Sequence, residues 1–133
     1  MKKKPKSLSR KEIRVSLWLE MNKKCSYCGQ KLEYEKMEVD HVKPILRGVS
    51  EKKLAIRPRM AAKKGLDEVS NMTAACKRCN RWKAHHSLEE FRKIVSSRVK
   101  ALTKANPTFN LLLDYGFIEI TQPPVVRFYF ETI

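Results

Sequence analysis

A chain of 133 residues with 29 Lys and Arg against 14 Asp and Glu carries a formal net charge of +15. The length leaves room for one domain with appendages, and the charge points to a polyanionic partner, most simply nucleic acid. No run approaches the ~18 apolar residues of a membrane helix, which excludes a helical membrane protein and leaves no membrane partner to expect. The basic start lacks the apolar stretch of a secretory leader. A reducing, cytoplasmic setting is therefore expected, with a phage or bacterial source.

Residues 1–8 read as a disordered basic arm, with Lys2, Lys3, Lys4 and Lys6 around Pro5. Ser9 and Glu12 make a capping box that opens a helix to about Asn22. Ile13, Leu17 and Met21 share one face of it, and Trp18 reads as core. Cys25 to Gly29 is a tight turn. Residues 37–42 are predicted to form a short strand, ended by Pro44. Residues 45–70 hold Gly48, Gly65, Pro58 and a basic run from Lys52 to Lys64, and read as a long exposed loop. Residues 71–75 are expected to return as a second strand, and residues 80–85 as a short helix.

Ser87 and Glu90 make a second capping box. One long helix is predicted after it, with Leu88, Phe91, Ile94, Val95, Val99 and Leu102 at helical spacing up to Asn106-Pro107. A turn over 111–114 follows. Residues 117–120 and 125–130 read as a C-terminal β-hairpin joined across Gln122-Pro123-Pro124. In it Val126, Phe128 and Phe130 alternate with Arg127, Tyr129 and Glu131.

The four cysteines form two C-x-x-C pairs, Cys25/Cys28 and Cys76/Cys79, and there is no fifth. Two residues between paired cysteines let both sulfurs turn toward one ion, so the spacing points to one structural zinc. Two disulfides are the alternative, and they need an oxidising compartment. A redox C-x-x-C would need only one pair. Around the second pair, Lys77, Arg78, Arg81 and Lys83 are candidate phosphate contacts. His85 and His86 lack a spacing partner; they read as phosphate contacts or exposed side chains, with a second metal site as the alternative. Tyr27 and Trp82 are expected to pack on the knuckles.

Cys-x-Tyr-Cys-Gly, then Asp-His-Val-x-Pro, then Asn-x-x-x-x-Cys-x-x-Cys-Asn-x-x-Lys resembles the zinc-containing HNH endonucleases over residues 22–92. The resemblance implies an α+β chain with a ββα-metal, treble-clef-like core. It also implies roles: His41 as general base, Asn71 as the middle asparagine, and Asp40 and Asn80 as the catalytic metal's ligands. The chain would be of the H-N-N form, leaving 3′-hydroxyl and 5′-phosphate ends. It departs from the family in lacking a Gly-Gly pair after Asp40-His41 and in the 29 residues between His41 and Asn71.

Residue chemistry agrees with that assignment. An imidazole accepts a proton near neutral pH. Asp40 and the Asn80 amide oxygen suit Mg²⁺ or Mn²⁺, with Ni²⁺ as a further candidate. In a strand, residues 40 and 41 face opposite ways, so a bend is required there. Residues 9–133 are expected to be one nuclease domain acting on DNA, as monomer or homodimer. The alternatives are a non-catalytic zinc module that binds nucleic acid, and a nuclease for RNA or junctions.

Overall fold

Helix α1 (Arg10–Glu20) begins where its cap predicts, in a computed structural model that describes residues 7–121 and 125–133. The Ser9 hydroxyl accepts from the Glu12 backbone N–H at 3.2 Å. Leu17 packs on Leu32, Met37 and Ala74, with Ile13, Trp18 and Met21 around it. Trp18 is half-buried against this core, and its Nε1–H donates to the Leu32 carbonyl at 2.7 Å. The turn at Cys25 closes through the Gly29 N–H, 2.9 Å from the Cys25 carbonyl.

Strand β1 (Glu38–His41) leads into an excursion of two short helices, α2 (Glu51–Ala55) and α3 (Pro58–Lys63). The exposed loop or excursion expected here carries these two helices. Ser50 caps α2 by accepting from the Lys53 N–H at 3.2 Å. Pro58 starts α3, where a missing N–H costs nothing. The return is fixed at Gly65, whose N–H donates to the Pro44 carbonyl at 2.9 Å. A Cβ at Gly65 would stand 2.5 Å from the Lys43 Cβ and 2.6 Å from the Asn71 Nδ2. Strand β2 (Met72–Ala75) then pairs antiparallel with β1, Glu38 opposite Ala75 and His41 opposite Met72.

Helix α4 (Lys77–Lys83) follows at once, with the Cys76 sulfur as its N-cap acceptor. The ββα arrangement expected from the resemblance is present. Helix α5 (Leu88–Ser96) has its capping box complete in both directions between Ser87 and Glu90. The predicted single long helix is two, because α6 (Arg98–Ala105) starts after a break at Ser97. The Ser96 and Ser97 hydroxyls donate to the carbonyls of Lys93 and Ile94 at 3.0 and 2.9 Å, competing with the helical ladder. Helix α7 (Pro107–Asp114) replaces the predicted turn; Asn106 caps it by accepting from Phe109.

No strand occurs among the described residues after α7, which corrects the predicted C-terminal hairpin. Its connection, residues 122–124, lies outside the described residues, as do Lys2, Lys3, Lys4 and Lys6 of the predicted arm. The alternating aromatics do another task. The Tyr129 N–H donates to the Tyr27 carbonyl at 3.0 Å and the Phe130 N–H to the Ser26 carbonyl at 2.9 Å. Phe128 stacks on Phe91 with centroids 5.2 Å apart and meets Tyr27 edge-on at 5.4 Å. Arg92 holds the segment through Glu131 and the Val126 carbonyl. The tail thus closes over the first cysteine pair instead of pairing with itself. No helix among the described residues is long and apolar enough to cross a membrane.

The Gly65 contact has a direct test. Gly65→Ala must displace the Lys43 backbone or the Asn71 amide, an overpacking cost of about 1–3 kcal/mol. Urea unfolding should show a lower midpoint with an unchanged slope. An unchanged midpoint would contradict the close approach.

Candidate active site and metal centre

The four cysteine sulfurs lie within 4.8 Å of one another, and those of Cys28 and Cys76 are 4.0 Å apart. Tetrahedral zinc with bonds of about 2.3 Å sets its sulfurs roughly 3.8 Å apart, so the cluster fits that ion. All four cysteines are free, and neither disulfide pairing is used. Backbone N–H groups already serve the sulfurs: Cys76 donates to the Cys25 Sγ at 3.3 Å and Cys79 to the Cys76 Sγ at 3.4 Å. The Cys79 thiol beside Cys25 holds the Cys25 thiol down at about 4. The same hydrogen bond pushes Cys79 up. Sulfurs this crowded shed their protons together only when a cation joins them, which is the chemistry of a zinc site.

Tyr27, between Cys25 and Cys28, is buried with its ring against Phe91 and Phe128. Its hydroxyl donates to the Asp40 Oδ2 at 2.5 Å. Burial first, and the Asp40 charge second, push the phenol well above its ordinary pKa, so it stays a donor. The same Asp40 oxygen takes the Lys83 Nζ at 3.0 Å, and Lys83 also donates to the His41 carbonyl at 2.9 Å. Lys83 is 0% exposed. This corrects its reading as a phosphate contact. Helix α4 crosses the face of β1 that carries Glu38 and Asp40, and Asn80 and Lys83, three apart, point down onto them. The Asn80 Nδ2 donates to the Glu38 Oε1 at 3.0 Å. Removing the lysine would leave a buried carboxylate without its cation, a loss of about 3–5 kcal/mol. Lys77, Arg78 and Arg81 remain exposed on α4.

His41 ends β1, and its Nε2 is 2.8 Å from the Asp67 Oδ1. Asp67 carried no sequence signal; it lies in the excursion, 26 residues downstream, outside every motif. The Asn71 side chain makes its hydrogen bonds to backbone and none to the imidazole. Its Oδ1 accepts from the Lys43 N–H at 2.8 Å, and its Nδ2 donates to the carbonyls of Lys43 and Leu66 at 2.8 and 2.9 Å. It therefore ties the segment just after His41 to the residue just before Asp67.

A cavity of about 460 Å³ is lined by Asp40 and His41 together with Pro44, Leu46, Arg47 and His85. The strand stops at His41 and the chain bends, so the opposed facing of residues 40 and 41 does not separate them. His85 reaches the cavity because α4 ends at Ala84 with φ 45° and ψ −127°, a sharp reversal of direction. The His86 ring packs against that of His85, centroids 4.7 Å apart, with the His86 Nδ1 3.0 Å from the Glu90 Oε2. Arg47 and Glu38 were missed in the sequence, where each is one charge among many.

One zinc per chain is expected after chelator washing, by elemental analysis. Cys76→Ser should lose both the metal and the folding free energy it adds, and unfold at lower temperature. A folded, washed sample with a zinc content near zero would contradict the site.

The HNH endonuclease family model matches residues 25–86, which include both cysteine pairs, Asp40, His41, Asn71 and Asn80. No curated protein matches the chain. Among solved structures it is similar to the Type II-C Cas9 enzyme from Actinomyces naeslundii, at 23% identity and a TM-score of 0.48. That likeness covers 68% of this chain and 9% of the Cas9 chain, so this chain spans under a tenth of that enzyme's length. Residues 25–86, close to half of the sequence, thus carry the match to the HNH endonuclease model.

Proposed function

We propose that this protein is a divalent-metal-dependent endonuclease that hydrolyses DNA phosphodiester bonds. The observation that carries the reading is the shared cavity of Asp40 and His41, with a carboxylate, Asp67, bonded to the imidazole. Phosphodiester hydrolysis needs an activated water and compensation for charge developing at phosphorus. His41 takes the water's proton. With Asp67 accepting from Nε2–H, the neutral ring keeps its lone pair on Nδ1, and Nδ1 is the basic atom. A carboxylate behind a catalytic imidazole also fixes its orientation and stabilises the imidazolium that forms.

Asp40 and Asn80 are the proposed ligands of Mg²⁺ or Mn²⁺. Among the described residues, neither Asp40 Oδ1 nor Asn80 Oδ1 makes a hydrogen bond, whereas the other polar atom of each is committed. Glu38 holds the Asn80 amino group, which leaves the amide oxygen as the donor to a cation. When bound, a hard divalent ion supplies positive charge to the phosphoryl oxygens. Arg47 and His85 line the same cavity, where Arg47 neutralises flanking phosphate and His85 offers it a ring N–H, and Lys77, Arg78 and Arg81 extend that cationic surface along α4. DNA is the substrate favoured by the family; RNA is the competing one, since this cavity meets only a phosphodiester.

Supercoiled plasmid with Mg²⁺ or Mn²⁺ is the test, with labelled RNA run beside it. Wild type should relax or linearise the plasmid, and EDTA should stop it. His41→Ala should lose at least about 100-fold in rate with DNA affinity kept, because a general base acts in the transition state. Asp67→Asn should lose less, about tenfold, with KM nearly unchanged. No cleavage with any ion would leave a binding module; cleavage by His41→Ala at the wild-type rate would remove His41 from the chemistry.

A further inference from the structure

We propose a second nucleic-acid subsite, for one unpaired nucleobase, on the side of α4 turned away from Asn80. A cavity of about 320 Å³ lies there, between α4, α5 and the segment around Val126. Its floor is apolar, built from Phe91, Ile94 and Val126. Trp82 stands at its mouth, 49% exposed. Three arginines, Arg78, Arg98 and Arg127, line it as well, and the Arg98 guanidinium lies 5.2 Å over the Trp82 ring.

The two tryptophans differ in a way that separates structure from recognition. Trp18 spends its indole N–H on the Leu32 carbonyl against the core. The Trp82 indole makes no hydrogen bond among the described residues, and half of it stays in water. Trp82 and Arg78 are four apart and form one stripe of α4, while Asn80 and Lys83 engage β1 on another side. A half-exposed indole over an apolar hollow, rimmed by cations, suits a ligand with a flat apolar face and a negative charge beside it. A nucleotide is such a ligand: its base stacks on the indole and guanidinium, and its phosphates meet the arginines. Arg78 already meets the Cys28 sulfur and Arg127 lies near Glu131, but Arg98 makes no ion pair among the described residues, and an apolar protein segment would leave it without a counter-charge. In a paired duplex every base is already stacked, so the subsite selects a single strand, a frayed end or a branch. The inference rests on nucleic acid being the substrate, and it adds which form of it is held.

Binding is read by fluorescence anisotropy, with the full chain carrying zinc, in the inactive His41→Ala background and without added Mg²⁺ or Mn²⁺. The probes are a labelled 12-nucleotide single strand, the same strand with abasic sites, and the 12-base-pair duplex. The single strand should bind best, and removing its bases should weaken it. Trp82→Ala should weaken the single strand about tenfold, within the range of a lost base stack, and the duplex less than twofold. Val95→Glu, a change at a 40%-exposed position on the cavity wall, should act likewise by placing a carboxylate there. Zinc content and melting temperature show that each variant is folded. Equal losses on single strand and duplex, or no loss on either, overturn the subsite while leaving the nuclease reading standing. No binding to any probe removes both. A Trp82→Ala effect on sedimentation alone, with single-strand affinity kept, makes the hollow a contact between copies and overturns the proposal.

Discussion

One carboxylate oxygen, Asp40 Oδ2, joins the three parts of the site. It accepts from Tyr27 on the first cysteine knuckle and from Lys83 on the helix that starts at the second, while itself sitting on β1. Burying an ammonium and a carboxylate is costly, and the geometry here offsets that cost with hydrogen bonds at 2.5, 3.0 and 2.9 Å. The consequence is positional. With Oδ2 held from two sides, only Oδ1 is left to meet a ligand, and β1 cannot slide or rotate under α4. The cysteine cluster matters to the proposed chemistry for this reason. It anchors both groups that pin Asp40.

The excursion between the strands has a similar logic. Most of its basic residues face solvent, while Lys63 pairs with Glu90, and its return path is held tightly by the Asn71 amide and by the absence of a side chain at Gly65. That return brings Asp67 to His41. A long, charged insertion thus ends by supplying the group that orients the proposed base. The middle asparagine of the motif works on backbone, joining two segments, and the imidazole is served by a carboxylate the motif does not contain.

Much of this was legible in the sequence, for physical reasons that also explain the failures. The caps at Ser9 and Ser87 are local, three-residue devices, and they stand where their chemistry predicts. The cysteine spacing is likewise a local statement about sulfur directions, and the four sulfurs do converge. Lys83 was misread because a lysine on a short helix carries no sign of what lies beneath it; only the crossing of α4 over β1 shows that. The C-terminal alternation of Val126, Phe128 and Phe130 was a true burial signal with the wrong partner, since Tyr27 and Phe91 supplied the apolar surface and Ser26 and Tyr27 the backbone acceptors. The break at Ser97 and the short helices α2 and α3 depend on side-chain hydroxyls and a proline that periodicity does not register. Asp67 was beyond reach, because its pairing is set by the tertiary path of residues 42–71.

The central claim is that Asp40 and Asn80 present their remaining oxygens to one catalytic cation. Electron paramagnetic resonance of Mn²⁺ added to zinc-loaded protein counts that site without requiring cleavage. Wild type should bind one Mn²⁺, and Asn80→Leu should lose it while keeping its zinc and its melting temperature within a few degrees. Undiminished Mn²⁺ binding by Asn80→Leu, or no Mn²⁺ site in the wild-type chain, would contradict the account.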